Sequence, residues 1–358
     1  ADAPLRAGAA VIDASPFLDE PIVGNFVTPP AAYVHDPIQV RALVLDDGTT
    51  RLAFAVVDSV GVSRDVFDAA RKIVAEKAGV PAANLLGSAT HTHSATSGRS
   101  KNRLTPDPDG GLSEYQTFLA RRIADAVRLA AGNLAPAQIG WGTVDAPEHV
   151  FNRRWLLKPG KTVKNQVGGV DRAQMNPGRN PDRLDYAGPT DPQVAFLAVK
   201  TPEGRPIAVL ANYSLHYVGG VPTGHLSADY FAVFARKLGE RLGTDPLHDP
   251  PFVGILSNGT SGDVNNIDVK SPPKPALPAY AKMNLVADDL ARRVAETYAK
   301  VEFRDRAPLA SASRELVLKI RRPTPEELAF AREVMARPAG APQYHNLEHS
   351  FAPRIMDH

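Results

Sequence analysis

Apolar residues along this chain come in short runs, each closed by a polar stretch. Val40 to Leu45 and Arg51 to Asp58 flank Asp46-Asp47-Gly48 and predict a hairpin. Thr201-Pro202-Glu203-Gly204 predicts the turn of a second one, which leads into Pro206 to Leu210. Ala137 to Val144 and Phe252 to Leu256 read as further strands, as does the run opening at Leu85. Helical patterns lie between them. Ser63 is placed to cap a helix whose apolar face carries Phe67, Ala70, Ile73 and Val74, and Gly79 stops it. A second helix runs from Ser113 to Ala131, with Phe118, Leu119, Ile123 and Leu129 predicted inward. Ser227 is expected to cap a helix reaching Leu242, and Ala279 to Lys300 is helical. Thr324-Pro325-Glu326-Glu327 is a capping box with proline at the first helical position. This alternation predicts the α/β class: mixed β-sheets flanked by helices, with an active site at the C-terminal ends of strands. Lys158 to Asp191, rich in Gly, Pro and Asn, predicts either a lid or binding loop or a disordered segment. No internal repeat or low-complexity tail is visible.

Candidate chemistry sits where the apolar runs end. The strand at Leu85 leads to Thr90-His91-Thr92-His93-Ser94. In extended geometry an i, i+2 spacing puts both imidazoles on one face, and imidazole is the commonest metal ligand. An isolated His-x-His is read equally well as two polar loop residues. Two other runs end similarly, in Asn212-Tyr213-Ser214-Leu215-His216 and in Ser257 to Asn266. A sheet brings such ends together along one crest. Asn258 reads as turn chemistry beside Gly259, and Asp263 as a support behind the site or a loop-shaping residue. Asp229 reads as an acid in the first turn of a helix. His35, His149 and His248 read as surface residues, and His225 has no motif behind it. Glu348 with His345 and His349 is a candidate cluster for a further metal ligand, and reads more simply as a polar tail. Arg153 and Arg154 fit headgroup recognition or plain solvation equally well.

Composition narrows the chemistry. The 358 residues are 43% hydrophobic and 22% charged, with a net charge of +2. That balance lacks the basic stripe of a nucleic-acid binder. There is no cysteine, which excludes disulfides, thiolate metal sites and cysteine nucleophiles. A transition metal must therefore be held by His, carboxylate, Tyr or water. No apolar run approaches the roughly 18 residues of a membrane span, while peripheral membrane contact stays open. Ala1-Asp2-Ala3-Pro4 fits a mature amino terminus left by signal-peptide removal, hence a secreted or periplasmic protein, or simply a chosen starting point.

Taken as a set, Ala89 to Ser94, Asn212 to His216 and Ser257 to Asn265 resemble the catalytic region of the neutral/alkaline, non-lysosomal ceramidase family. Ala7 to Asp13 and Asn152-Arg153-Arg154 fit more weakly. The resemblance implies a zinc amidohydrolase of sphingolipid metabolism that splits an N-acyl bond with a metal-activated water. It implies His91 and His216 as zinc ligands and His93 beside the metal, touching the substrate carbonyl. Arg153 would lie in the substrate pocket, and Gly24 would approach the substrate by its backbone. Two departures stand out. The family's serine after Gly-Asp-Val is Asn265, which cannot be a nucleophile but can donate a hydrogen bond to an oxyanion. Ala95 to Arg99 replaces a glycine-rich stretch. No match is found for the family's remaining zinc ligands, a glutamate and a tyrosine. The expectation is a single catalytic domain over residues 1–358 without the family's C-terminal part. The alternatives are a zinc esterase or lactonase on the same scaffold and a non-catalytic lipid- or glycan-binding relative.

Overall fold

Side-chain alternation along the strands dictates a layered arrangement. The computed structural model describes residues 3–25, 27–99, 111–272 and 275–357. One sheet holds β1 (Arg6–Asp13), β2 (Gln39–Asp46), β3 (Arg51–Val57) and β4 (Leu85–Ala89). Its order is β4-β3-β2-β1, with Ala135–Pro136 at the far edge. A second sheet holds β5 (Gln138–Asp145), β6 (Gln193–Lys200), β7 (Pro206–Tyr213) and β8 (Val253–Asn258), in the order β8-β7-β6-β5. The helices are α1 (Arg64–Ala78), α2 (Glu114–Gly132), α3 (Tyr230–Arg241) and α4 (Ala281–Tyr298). On β2, Val40, Ala42 and Val44 share a core with Val66 of α1 and with Leu119 and Ile123 of α2. Leu43 and Leu45 point the other way, into a core with Ala208, Val253 and Ile255 of the second sheet. Val194, Phe196 and Ala198 of β6 pack with Phe231, Phe234 and Leu290 of α3 and α4. The result is helices, sheet, sheet, helices. Strands buried on both faces need apolar residues at nearly every position, which is why they read as continuous runs.

Each sheet is built the same way. Three antiparallel strands are followed by a helix that crosses to a parallel fourth strand, and then by a second helix. The registers of the first pairs coincide: Arg6 lies opposite Asp46 and Asp13 opposite Gln39, as Gln138 lies opposite Lys200 and Asp145 opposite Gln193. This topological repeat left no readable sequence repeat, because cores tolerate many apolar fillings of similar volume.

Three expectations are corrected. On α2, Leu119 and Ile123 are buried, but Phe118 and Leu129 are exposed. The buried stripe continues instead through Ala126, Val127 and Ala130. The cap of α3 is Asp229, whose carboxylate accepts the Tyr230 N–H at 2.6 Å, while the Ser227 hydroxyl donates to Asp36 at 2.6 Å. The stretch from Lys158 to Asp191 is neither disordered nor a bare loop. The strand Arg154–Leu157 leads into it and lies between Ala173–Met175 and Arg183–Tyr186.

The chain divides into two compact units, and residues 152–189, 268–272 and 314–358 form the second. There, Trp155 is buried against Tyr186, with ring centroids 4.3 Å apart. α5 (Pro325–Ala336) and α6 (Glu348–Met356) join through Ala331, Val334 and Ala352. Glu348 is buried, ion-paired to Arg337 at 2.6 Å, and accepts the Tyr344 and His345 N–H groups. Its role is to hold this helix pair, so it is not part of a solvated tail.

Candidate metal centre

The strand β4 stops at Ala89, so the two histidines that follow are not in extended geometry. His91 has φ +67°, a left-handed conformation unusual for a side chain with a Cβ. Its N–H is tied to the Ser59 carbonyl at 2.9 Å, just beyond the parallel neighbour β3. The imidazoles of His91 and His93 still converge, but through this local twist rather than through strand alternation. His216 follows β7 by three residues.

Hydrogen-bond partners fix the rings. His91 Nδ1 faces the Val60 carbonyl at 2.6 Å, and His216 Nδ1 faces the Ser261 carbonyl at 2.9 Å. A carbonyl only accepts, so both Nδ1 atoms carry hydrogen and both Nε2 atoms present lone pairs. The Nε2 atoms of His91 and His216 are 3.1 Å apart, and that of His93 lies 3.2 Å and 3.3 Å from them. Between His91 and His216, lone pairs at that distance repel one another unless a proton or a metal cation lies between them. A tetrahedral zinc with bonds of about 2.0–2.1 Å sets its nitrogens about 3.3–3.4 Å apart. The donor set therefore fits a divalent cation by element and spacing, and at His91 and His216 also by tautomer. His91, His93 and His216 form the one such group of titratable side chains among the described residues.

Neighbouring residues hold this geometry. The Tyr217 ring stacks on His93 with centroids 4.0 Å apart and planes 19° apart. Asn258, at the end of β8, donates to the Thr90 carbonyl at 3.0 Å and the Leu215 carbonyl at 3.3 Å. It also accepts from the Ser261 hydroxyl, so one amide clasps the segments that carry His91 and His216. That is more than turn chemistry. Gly24 lies against His93: a Cβ there would sit 2.7–2.8 Å from the His93 Cα, Cβ and Cγ atoms, at φ +130°. Gly24→Ala should therefore push His93 out of line. We expect affinity for a divalent cation to fall about 10–100-fold, the usual loss when a partner behind a ligand is disturbed. Titration of the apo-protein against a competing chelator checks this.

Asp229 anchors the segment after His216. It is fully buried, and its carboxylate oxygens accept the Val218 N–H at 3.1 Å and the Gly219 N–H at 2.8 Å. Burial outweighs these bonds and pushes its pKa up to about 6. The unfolded chain thus releases this proton first, and Asp229 lowers stability as pH rises from about 4 to 6, by at most ~3 kcal/mol. Asp229→Asn should remove that slope. The difference in urea midpoint between wild type and variant should change between pH 4 and 6 and be flat above.

The remaining candidates are placed as follows. Asn265 lies in the first unit, and its carboxamide oxygen accepts the Ile267 N–H at 3.0 Å. Arg153 belongs to the second unit, where its carbonyl accepts the Asn176 N–H at 2.6 Å. Asp263 is half-buried. Two of the histidines set aside have structural partners. His225 meets the Tyr280 hydroxyl, and His149 pairs with Asp289 at 2.9 Å. His35 is exposed but stacks on Tyr280, with centroids 3.6 Å apart. His248 is exposed, as expected. Sequence reading missed Tyr217, Val60 and the clasp by Asn258. Ser59 and Val60 follow an apolar run, so the same strand-end rule could have found them.

The architecture resembles that of neutral ceramidase. The neutral ceramidase from Pseudomonas aeruginosa matches at a TM-score of 0.63 and 18% identity, over 84% of this chain and 45% of that one. A ceramidase complexed with C2 matches at 0.61 and 18%, over 84% and 44%. At this identity the likeness establishes the fold. The chain spans less than half the length of these ceramidases. No protein-family model matches it, and no curated sequence does.

Proposed function

We propose that the chain is a zinc-dependent hydrolase of the neutral ceramidase type, cleaving the amide of an N-acyl, sphingolipid-like substrate. The observation that carries this reading is the meeting of three Nε2 atoms at the spacing of one tetrahedral cation, on a ceramidase-like fold. His91, His93 and His216 would hold the metal. Three imidazoles with an open fourth position form one of the ligand sets of catalytic zinc. Bound there, zinc supplies Lewis acidity toward a carbonyl and acidifies water. His93 takes the third ligand position in this reading, in place of the carbonyl contact that the family resemblance implies. The Val60 and Ser261 carbonyls keep His91 and His216 in the ligating tautomer. Asn265 would donate its amide N–H to the developing oxyanion. Gly24 leaves room for His93 and for close backbone approach of the substrate.

The test is zinc content together with fatty-acid release from N-acyl sphingosine, from simple amides and from matched esters. Zinc with amide cleavage supports the proposal. Zinc with ester or lactone cleavage alone favours the esterase, a reading that Asn265 in the serine position makes specific. A chain that binds N-acyl lipid without zinc or turnover would defeat both. Secretion belongs to the same proposal, and fractionation of the producing cells checks it.

A further inference from the structure

We propose that the second unit docks on an anionic phospholipid surface through the exposed face of its three-stranded sheet. The alternation on the central strand is plain: Trp155 and Leu157 are buried, while Arg154 and Leu156 are exposed. Lys158, the next residue on the exposed side, is open to solvent. Register places Met175 beside Arg154 and Ala173 beside Leu156 on the same face. Leu156 is 42% and Met175 49% exposed, and Val170 and Leu184 nearby in the chain are each 57% exposed. Apolar side chains held open in this way lose free energy against water and gain it in a lipid interface.

Charge selects the kind of surface. Residues 152–189 carry eight Lys and Arg against three Asp and Glu. The whole second unit carries sixteen against ten, while the rest of the chain carries twenty-five against twenty-nine. The positive excess is thus concentrated in the unit that presents the apolar side chains. Arg154, Lys158, Lys161, Lys164, Arg172 and Arg179 are all exposed. The segment from Arg314 to Arg322, in the same unit, repeats the composition. Its Leu316, Val317, Leu318 and Ile320 are exposed among Lys319, Arg321 and Arg322. Long basic side chains reach phosphate headgroups while short apolar ones enter the acyl boundary. No described helix is long and apolar enough to cross a membrane.

The experiment is co-sedimentation of the full chain with vesicles of phosphatidylglycerol or of phosphatidylcholine. Binding is expected to phosphatidylglycerol alone. Its affinity should fall at least tenfold between about 0.1 M and 0.5 M salt, since the headgroup attraction is screened. Arg154→Ala and Lys158→Ala should each cost about fivefold, and Leu156→Ser with Met175→Ser tenfold or more. These side chains are exposed, so the variants should fold, which circular dichroism checks. Equal binding to both vesicles, binding to neither, or no effect of the four substitutions overturns the proposal. Self-association in sedimentation velocity that is lost with Leu156→Ser and Met175→Ser also overturns it, by assigning the face to contact between copies. Zinc content and hydrolysis of a soluble short-chain N-acyl substrate should be unchanged in all three variants. This inference can therefore fail while the hydrolase reading stands, and the reverse.

Discussion

His91→Ala and His216→Ala are each expected to leave the purified protein with almost no zinc and almost no hydrolytic turnover. Each imidazole supplies one of three nitrogens at mutual distances of 3.1–3.3 Å, so removing one leaves a two-coordinate site open to water. Disturbing a partner behind a ligand costs about 10–100-fold in affinity, and loss of the ligand itself should exceed that. Elemental analysis after dialysis reads the occupancy directly. A second readout is thermal: added zinc should raise the melting temperature of the wild type and not of the variants, because a ligand stabilises only a state that binds it. His93→Ala separates two roles. As the third ligand, its loss should lower zinc content as His216→Ala does. As a group touching only the substrate carbonyl, its loss would spare zinc and lower turnover. His225→Ala is the control: that ring meets Tyr280 and should leave the metal in place. Unchanged zinc content in both His91→Ala and His216→Ala would end the metal-centre reading.

The meeting of His91 and His216 was legible because strand ends in α/β folds collect on one crest, and each histidine follows an apolar run. The means by which they meet was not. The extended-strand argument for His91 and His93 reached the correct neighbours by the wrong route, since His91 is left-handed rather than extended, with its N–H bound to the Ser59 carbonyl. Ser59 is thirty-two residues away in sequence, and no local pattern reports such a bond. Helix caps split the same way. Thr324 forms the capping box that was read, with its partner three residues on, while the matching box at Ser113 and Gln116 went unread. Ser227 lies two residues before the cap, Asp229: its hydroxyl donates to Asp36 in a distant loop at 2.6 Å and accepts the Asp229 N–H at 3.0 Å. Phe118 was placed inward by hydrophobicity alone. The Leu119, Ile123 and Ala126 stripe already fills the helix face, and Arg122 lies over the outward Phe118 ring at 5.4 Å. The polar sheet of the second unit resisted reading for a different reason. Its strands are short and half-exposed, and their largest buried side chain, Trp155, is held by long-range contacts with Tyr186 and Lys270.

Arg41→Met should cost about 3–5 kcal/mol of stability at neutral pH, more than any surface change in the chain. Arg41 and Asp58 are 3% and 0% exposed, and Arg41 donates to Asp58 Oδ2 at 2.7 Å. Burial raises the Asp58 pKa, and the Arg41 charge is the chief force that opposes the rise. Asp58 Oδ1 has no hydrogen-bond partner among the described residues, so the guanidinium carries most of the compensation. Without it, a buried carboxylate must either stay charged in an apolar setting or take up a proton. The penalty should therefore shrink as pH falls and Asp58 protonates, which urea unfolding of wild type and variant across pH would show. Arg41→Met combined with Asp58→Leu should recover most of the loss, because two well-packed apolar side chains need no countercharge. The effect should also reach the metal centre. Asp58 precedes Ser59, whose carbonyl holds the His91 N–H at 2.9 Å, so Arg41→Met should weaken zinc binding as well as folding. A variant destabilised by this amount yet binding zinc with wild-type affinity would show that β3 does not set the position of His91.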